Sequence, residues 1–290
     1  MGQGQVEPAY SVDVRIGPRL SLATTCITMS SPPSEMKKTL AMALFSRRPL
    51  TEPVARHQIT ALSDFSGGLM RPDRCAKTEP IRTAFDPADI TAPIQWLAEP
   101  HGEFFYRKGS PIEVSGEIWN LAHPATARFP SPPFSNYWTG RFDGKWADRV
   151  GIDKVEEFVA EMFRVTSSDF ALLTSELDLK AKNTNPTSYS YQGLKLESGV
   201  PGLYWTNLFS DGFAKWLGVN ELPKQLARPK KLTHGGVSLK FCELPEQCRD
   251  IETLQRQRAA IEWLGPEKFF DIRFRDRQLD TPDWDDMTMR

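Results

Sequence analysis

No stretch of this 290-residue chain reaches the roughly eighteen consecutive apolar residues that a membrane-spanning helix requires. No secretory leader is evident at its start. The apolar run Leu20–Met29 is short and rich in Thr and Ser, which suits a strand better than a leader. The four cysteines, Cys26, Cys75, Cys242 and Cys248, form no CxxC pair. Cys242 and Cys248 are near enough in sequence to bridge, but the expectation is four free thiols in a reducing compartment. These features predict a cytoplasmic protein. The net charge of −1 provides no global field to draw the chain onto nucleic acid or an anionic membrane, so neither is expected as a partner.

Catalytic signatures are missing too. The four histidines, His57, His101, His123 and His234, stand apart, and none forms HExxH or another ligand pair at helical spacing. His101, between Glu99 and Glu103, makes only a weak oxygen–nitrogen cluster. There is no GxSxG elbow, no kinase signature and no Gly-rich phosphate loop. Cys75 is a lone thiol, and such thiols are more often packed than catalytic. The reading is therefore not an enzyme, with no metal and no cofactor. One enzymatic alternative stays open. Glu113 and Glu117 stand four apart in an expected strand, on one face and about 13 Å apart. That is wider than glycosidases use, but with Trp119 and Trp138 they would line a sugar or small-ester cleft.

The chain does contain a large aromatic complement, with eight Trp and seventeen Phe, and it is long enough to bury a sizeable core. The organising stretch is Gly199–Gly218. Its Leu203–Phe209 run reads as a doubly buried strand, Ser210 as a helix cap, Phe213, Trp216 and Leu217 as one helical face, and Gly218 as the terminator. Trp205 and Trp216 are both expected in the core. Earlier in the chain, Tyr10–Ile16 and Leu20–Met29 read as strands. A basic amphipathic helix is expected after Ser34, carrying Met36, Leu40, Ala43 and Leu44. Thr51–Pro80 reads as irregular, with a strand near Gln58–Ser63. Glu103–Arg107, Ile112–Trp119 and Phe134–Phe142 predict an antiparallel meander.

Asp153 opens a clear helix, with Asp153 and Glu156 at capping-box spacing. Phe170–Leu179 fits either a strand or a helix. Val237–Phe241 is a short strand, and Asp250–Leu264 is a helix ended by Gly265 and Pro266. Strands and helices interleave without a βαβ rhythm, which predicts an α+β fold with mixed or antiparallel sheets. The Pro-rich zone Thr83–Ile94 marks a boundary between two halves, 1–92 and 93–290, each a sheet packed with helices.

The segments GLYWTNLFSDGFAKWLG, LTHGGVSLKF and LGPEKFFD resemble the C-terminal half of the immunity protein 52 family, and FDPADITAPIQWLAEPHGEFFYRKGSPIEVSG resembles a segment of the same group. The resemblance spans roughly residues 80–275 and rests on structural rather than catalytic residues. It implies a type VI secretion or polymorphic-toxin immunity protein, whose partner is a cognate toxin, expected to be a nuclease, neutralised by stoichiometric binding. An adaptor or chaperone for a secreted effector is a further alternative. The family transfers no binding-site motif. The candidate contact comes from charge instead: Asp280, Asp283, Asp285 and Asp286 surround Trp284 near the C-terminus. An acidic segment around an aromatic anchor suits a basic groove.

Overall fold

The run Leu40–Phe45 is apolar at every position, the composition of a strand covered on both faces, and it forms the middle of the sheet. The structure is a computed structural model that describes residues 39–109, 113–120, 136–144, 151–182, 200–269, 280 and 282. The chain divides into two units, Met1–Pro32 and Pro33–Arg290, and all the described residues lie in the second. The expected strands Tyr10–Ile16 and Leu20–Met29 therefore fall outside the described residues.

Among the described residues, ten strands form one sheet: β1 Leu40–Ser46, β2 Arg74–Ala76, β3 Thr83–Ala84, β4 Glu103–Lys108, β5 Val114–Asn120, β6 Asn136–Phe142, β7 Phe170–Ser175, β8 Thr206–Phe209, β9 Arg228–Lys231 and β10 Val237–Lys240. Their order is β3-β2-β4-β5-β6-β1-β7-β8-β10-β9, and each neighbouring pair runs antiparallel. The β4–β5–β6 meander is the one the alternation predicts. Among the described residues, six α-helices accompany the sheet: α1 Glu52–Gly68, α2 Thr91–Ala98, α3 Ile152–Val165, α4 Glu176–Lys182, α5 Asp211–Leu217 and α6 Ile251–Leu264. The fold is α+β.

Side-chain alternation along the strands builds two cores. On the first face, Met42, Leu44, Phe104, Tyr106, Trp138 and Leu173 meet Ile59 and Leu62 of α1, Ile94 and Leu97 of α2, and Phe158 and Met162 of α3. On the second face, Ala43, Phe45, Leu172, Phe209 and Leu239 meet Leu179 of α4, Phe213 and Leu217 of α5, and Ala260 and Leu264 of α6.

The helix expected after Ser34 is, over Leu40–Ser46, the strand β1. Leu, Ala and Met favour helix locally, but a run without polar positions gives a helix no solvent face, and between β6 and β7 both of its faces are buried. The expected strand near Gln58–Ser63 is the middle of α1, where Val54, Ala55, Gln58, Ile59 and Leu62 recur at helical spacing and are buried. The Ser66-Gly67-Gly68 turn appears as a break at its end, where Phe65, Ser66 and Gly67 leave helical geometry. The two-halves expectation gives way to one sheet. β1, from before residue 92, bonds to β6 and β7, from after it, so strands from both expected halves share a ladder.

The organising stretch folds as read, with a shorter strand. Ser210 Oγ accepts a hydrogen bond from the Phe213 amide, and Gly218 adopts the left-handed conformation at φ 84°. Trp205 is fully buried. Trp216 is only partly buried, edge-on to Phe213 with the Lys268 ammonium over its ring.

Candidate functional site

On the first face the sheet extends past its helices. α1, α2 and α3 pack over the strands up to β7, while β8, β10 and β9 continue beyond α3. The first face of β8 and β10, with Thr206 and Leu208 buried and Ser238 and Lys240 half-buried, floors a cleft of about 1090 Å3. One wall is the acidic side of α3, with Asp153, Glu156 and Glu157. The opposite wall is basic: Lys224, then Arg228 and Lys230 of β9. The first turns of α6 close one end with Asp250, Glu252, Thr253 and Arg256, beside Cys242 and Glu243.

A satisfied ion pair ties the wall to the floor. Glu156 accepts a hydrogen bond from Thr206 Oγ1 at 3.0 Å through one carboxylate oxygen and from Lys240 Nζ at 3.1 Å through the other. Thr206 and Lys240 are cross-strand partners in the β8–β10 register, so both side chains leave the sheet on the same face. The Lys240 ammonium lies 5.0 Å from the Trp205 ring centre, and Trp205 Nε1 donates to the Cys242 carbonyl at 2.9 Å. Glu156 thus serves the cleft, not the helix cap expected of it. The N-cap of α3 is Gly151, without a side-chain bond.

Behind this floor lies a buried polar cluster on the other face. Lys182 Nζ donates to Asp178 Oδ2 at 2.9 Å, to the Leu203 carbonyl at 2.7 Å and to Gln257 Oε1 at 2.9 Å. Burial pulls the Lys182 ammonium below the usual lysine range, with the Asp178 charge opposing. Burial also pushes the Tyr204 phenol up. Among the described residues, Asp178 Oδ1, Tyr204 Oη and Gln257 Nε2 have no hydrogen-bond partner. The cluster joins α4, α6 and the chain entering β8.

Both sheet edges resist strand addition. β3 is only two residues long. On β9, Leu232 N donates to Gly236 O at 3.0 Å, and the antiparallel alternation then turns the peptide groups of Arg228 and Lys230 toward β10 and those of Pro229 and Lys231 outward. Proline at an outward position costs the ladder nothing and removes the donor at that point of the edge.

The residues expected at the site are not brought together by the described structure. Asp280 is exposed, and its amide donates to the Glu267 carbonyl at 3.0 Å. Asp283, Trp284, Asp285 and Asp286 lie outside the described residues. Glu113 is exposed just before β5, and Glu117 is half-buried within it. Burial raises the Glu117 carboxyl above its ordinary value, opposed by the hydrogen bond from Thr139 and the Arg141 charge. Trp138 does not join them, because it lies in the first-face core and donates to Tyr106 Oη at 2.9 Å. Among the described residues, no group of three or more His, Cys, Asp or Glu is placed to hold a metal ion, and no helix is long and apolar enough to cross a membrane. Cys75, Cys242 and Cys248 are free thiols.

No family model matches the chain, and no curated protein does. Among solved structures, the Pseudomonas aeruginosa T6SS protein PA0821 is similar, with a TM-score of 0.55 and 12% identity over 80% of this chain and 75% of that one. At that identity the likeness is one of fold.

Proposed function

We propose that this chain is a T6SS-associated immunity protein that binds a cognate toxin, a nuclease effector, and neutralises it by stoichiometric occlusion without a cofactor. The observation that carries the reading is the shared fold with a T6SS protein over 80% of the chain. The family resemblance of the segments around Gly199–Gly218 and Phe85–Gly116 points the same way. A nuclease needs a basic groove for phosphates. The acidic α3 wall, with Asp153 and Glu157, and the acidic sequence of the Asp280–Asp286 segment offer suitable chemistry.

The test is co-expression with the toxin encoded beside this chain, followed by isothermal titration of the purified pair. The expected result is rescue of growth and a one-to-one complex with Kd near 1 nM, about −12 kcal/mol. Rescue should persist when Glu113 and Glu117 are both changed to Gln. Absence of a complex, or rescue that depends on those two carboxylates, would sink the reading and favour the hydrolase.

A further inference from the structure

Leu244, Ile251 and Trp263 are the exposed large apolar side chains among the described residues, at 49%, 69% and 44%. Trp263 lies in the last turn of α6. The other two flank the short 3-10 turn Pro245–Arg249, which leads into α6 at the closed end of the cleft. Single exposed apolar side chains are common and mean little. These two differ in how they are held and in what surrounds them.

The turn is pinned from inside. Pro245 and Cys248 are buried. Leu244 N donates to Gln247 Oε1 at 3.0 Å, and Gln247 N donates to the Leu244 carbonyl at 3.1 Å. Asp250 N donates to the Gln247 carbonyl at 3.1 Å, and Leu254 N to the Asp250 carbonyl at 3.0 Å, so the turn passes directly into α6. A backbone fixed in this way presents Leu244 and Ile251 to a partner with little further ordering cost.

Charge identifies the occupant. Glu243, Asp250 and Glu252 adjoin the two apolar side chains in sequence, line the cleft and are exposed. Among the described residues none of the three forms an ion pair, whereas Glu156 in the same cleft is bound to Lys240. From Glu243 to Arg256 the chain carries Glu243, Glu246, Asp250 and Glu252 against Arg249 and Arg256, an excess of two negative charges. Apolar side chains ringed by carboxylates have the composition of an interface centre and its rim, and they select a cationic partner. Lys224, Arg228 and Lys230 across the cleft repel the same partner, which confines it to the α6 end.

We propose, on the immunity reading above, that the α6 end of the cleft is the contact surface for the toxin. Leu244 and Ile251 are its apolar anchors, and Glu243, Asp250 and Glu252 face a cationic surface of the toxin. Burial of the anchors slows dissociation, and the carboxylates speed a salt-dependent encounter.

The test is surface plasmon resonance of the full-length chain with the purified toxin encoded beside it, at low and at physiological salt. Leu244→Ala/Ile251→Ala should dissociate about tenfold faster or more, with little change in association. Glu252→Lys should associate about threefold more slowly or less at low salt, with the gap closing as salt rises. Glu79→Lys makes the same charge change between β2 and β3, at the other end of the sheet, and should associate like wild type. Each position is exposed, so each variant should keep the wild-type urea midpoint. A wild-type chain that forms no complex overturns the immunity reading and this proposal with it. A wild-type complex whose rates are unchanged in Leu244→Ala/Ile251→Ala overturns the proposal alone. Equal slowing in Glu79→Lys and Glu252→Lys does the same, since it marks a diffuse charge effect. So does self-association of the chain that the alanine pair abolishes, because the occupant is then a second copy.

Discussion

Trp205 gives the sharpest stability prediction. Its side chain has no exposed surface, its Nε1 donates to the Cys242 carbonyl at 2.9 Å, and the Lys240 ammonium sits 5.0 Å from its ring centre. Truncation to alanine removes a large aromatic from a core, which costs about 3–5 kcal/mol. It also leaves the Cys242 carbonyl without its donor and removes the ring beneath Lys240, so the upper part of that range is expected. Trp205→Phe keeps most of the apolar surface and loses the N–H, for about 1–3 kcal/mol. Against a total of about 5–15 kcal/mol for a typical domain, the alanine variant loses a large share of its stability. Urea unfolding followed by far-UV circular dichroism measures both. An alanine variant with an unchanged midpoint and slope would show that Trp205 does not hold β8 against β10. Equal losses for Phe and Ala would shift the weight from ring burial to the single hydrogen bond.

Three further outcomes are expected. The folded-state carboxyl of Glu117 is raised above its ordinary 4.5, so the native state binds its proton more tightly and stability falls as pH rises through the window above 4.5. Glu117→Gln should match wild type at low pH and exceed it at neutral pH, as read by chemical denaturation across that range; a constant difference would refute the shift. Lys182→Met should destabilise by about 3–5 kcal/mol by stranding the buried Asp178 carboxylate, and adding Asp178→Asn should recover part of the loss; no recovery in the double variant would place the cost in packing. Truncation after Leu279 removes Asp280, Asp283, Trp284, Asp285 and Asp286; on the toxin-binding reading it should slow association at low salt, and an unchanged rate and affinity would take that segment out of the contact.

What the sequence revealed follows from how locally each element is determined. The meander β4–β5–β6, the helix α3 and the Ser210 cap are specified by alternation, helical spacing and a hydroxyl three residues from its amide, all within one short window. The middle of the sheet was hidden because Leu40–Ser46 takes its identity from strands about a hundred residues or more downstream, which supply its hydrogen bonds, and from helices that cover both of its faces. The cleft was hidden for the same reason in sharper form. Glu156 has a local role available, at capping-box spacing from Asp153, and sequence reasoning assigned it that role. In the structure its two oxygens go instead to Thr206 and Lys240, fifty and eighty-four positions away. A surface cap on a fourteen-residue helix is worth about 1 kcal/mol. A half-buried carboxylate satisfied by a hydroxyl and an ammonium does better, because each bond involves a charged group. The only sequence trace of that competition is the polar alternation Ser238, Lys240 in a strand whose other positions, Val237 and Leu239, are buried. That alternation announces an open sheet face, and it cannot tell which helix will stand beside it.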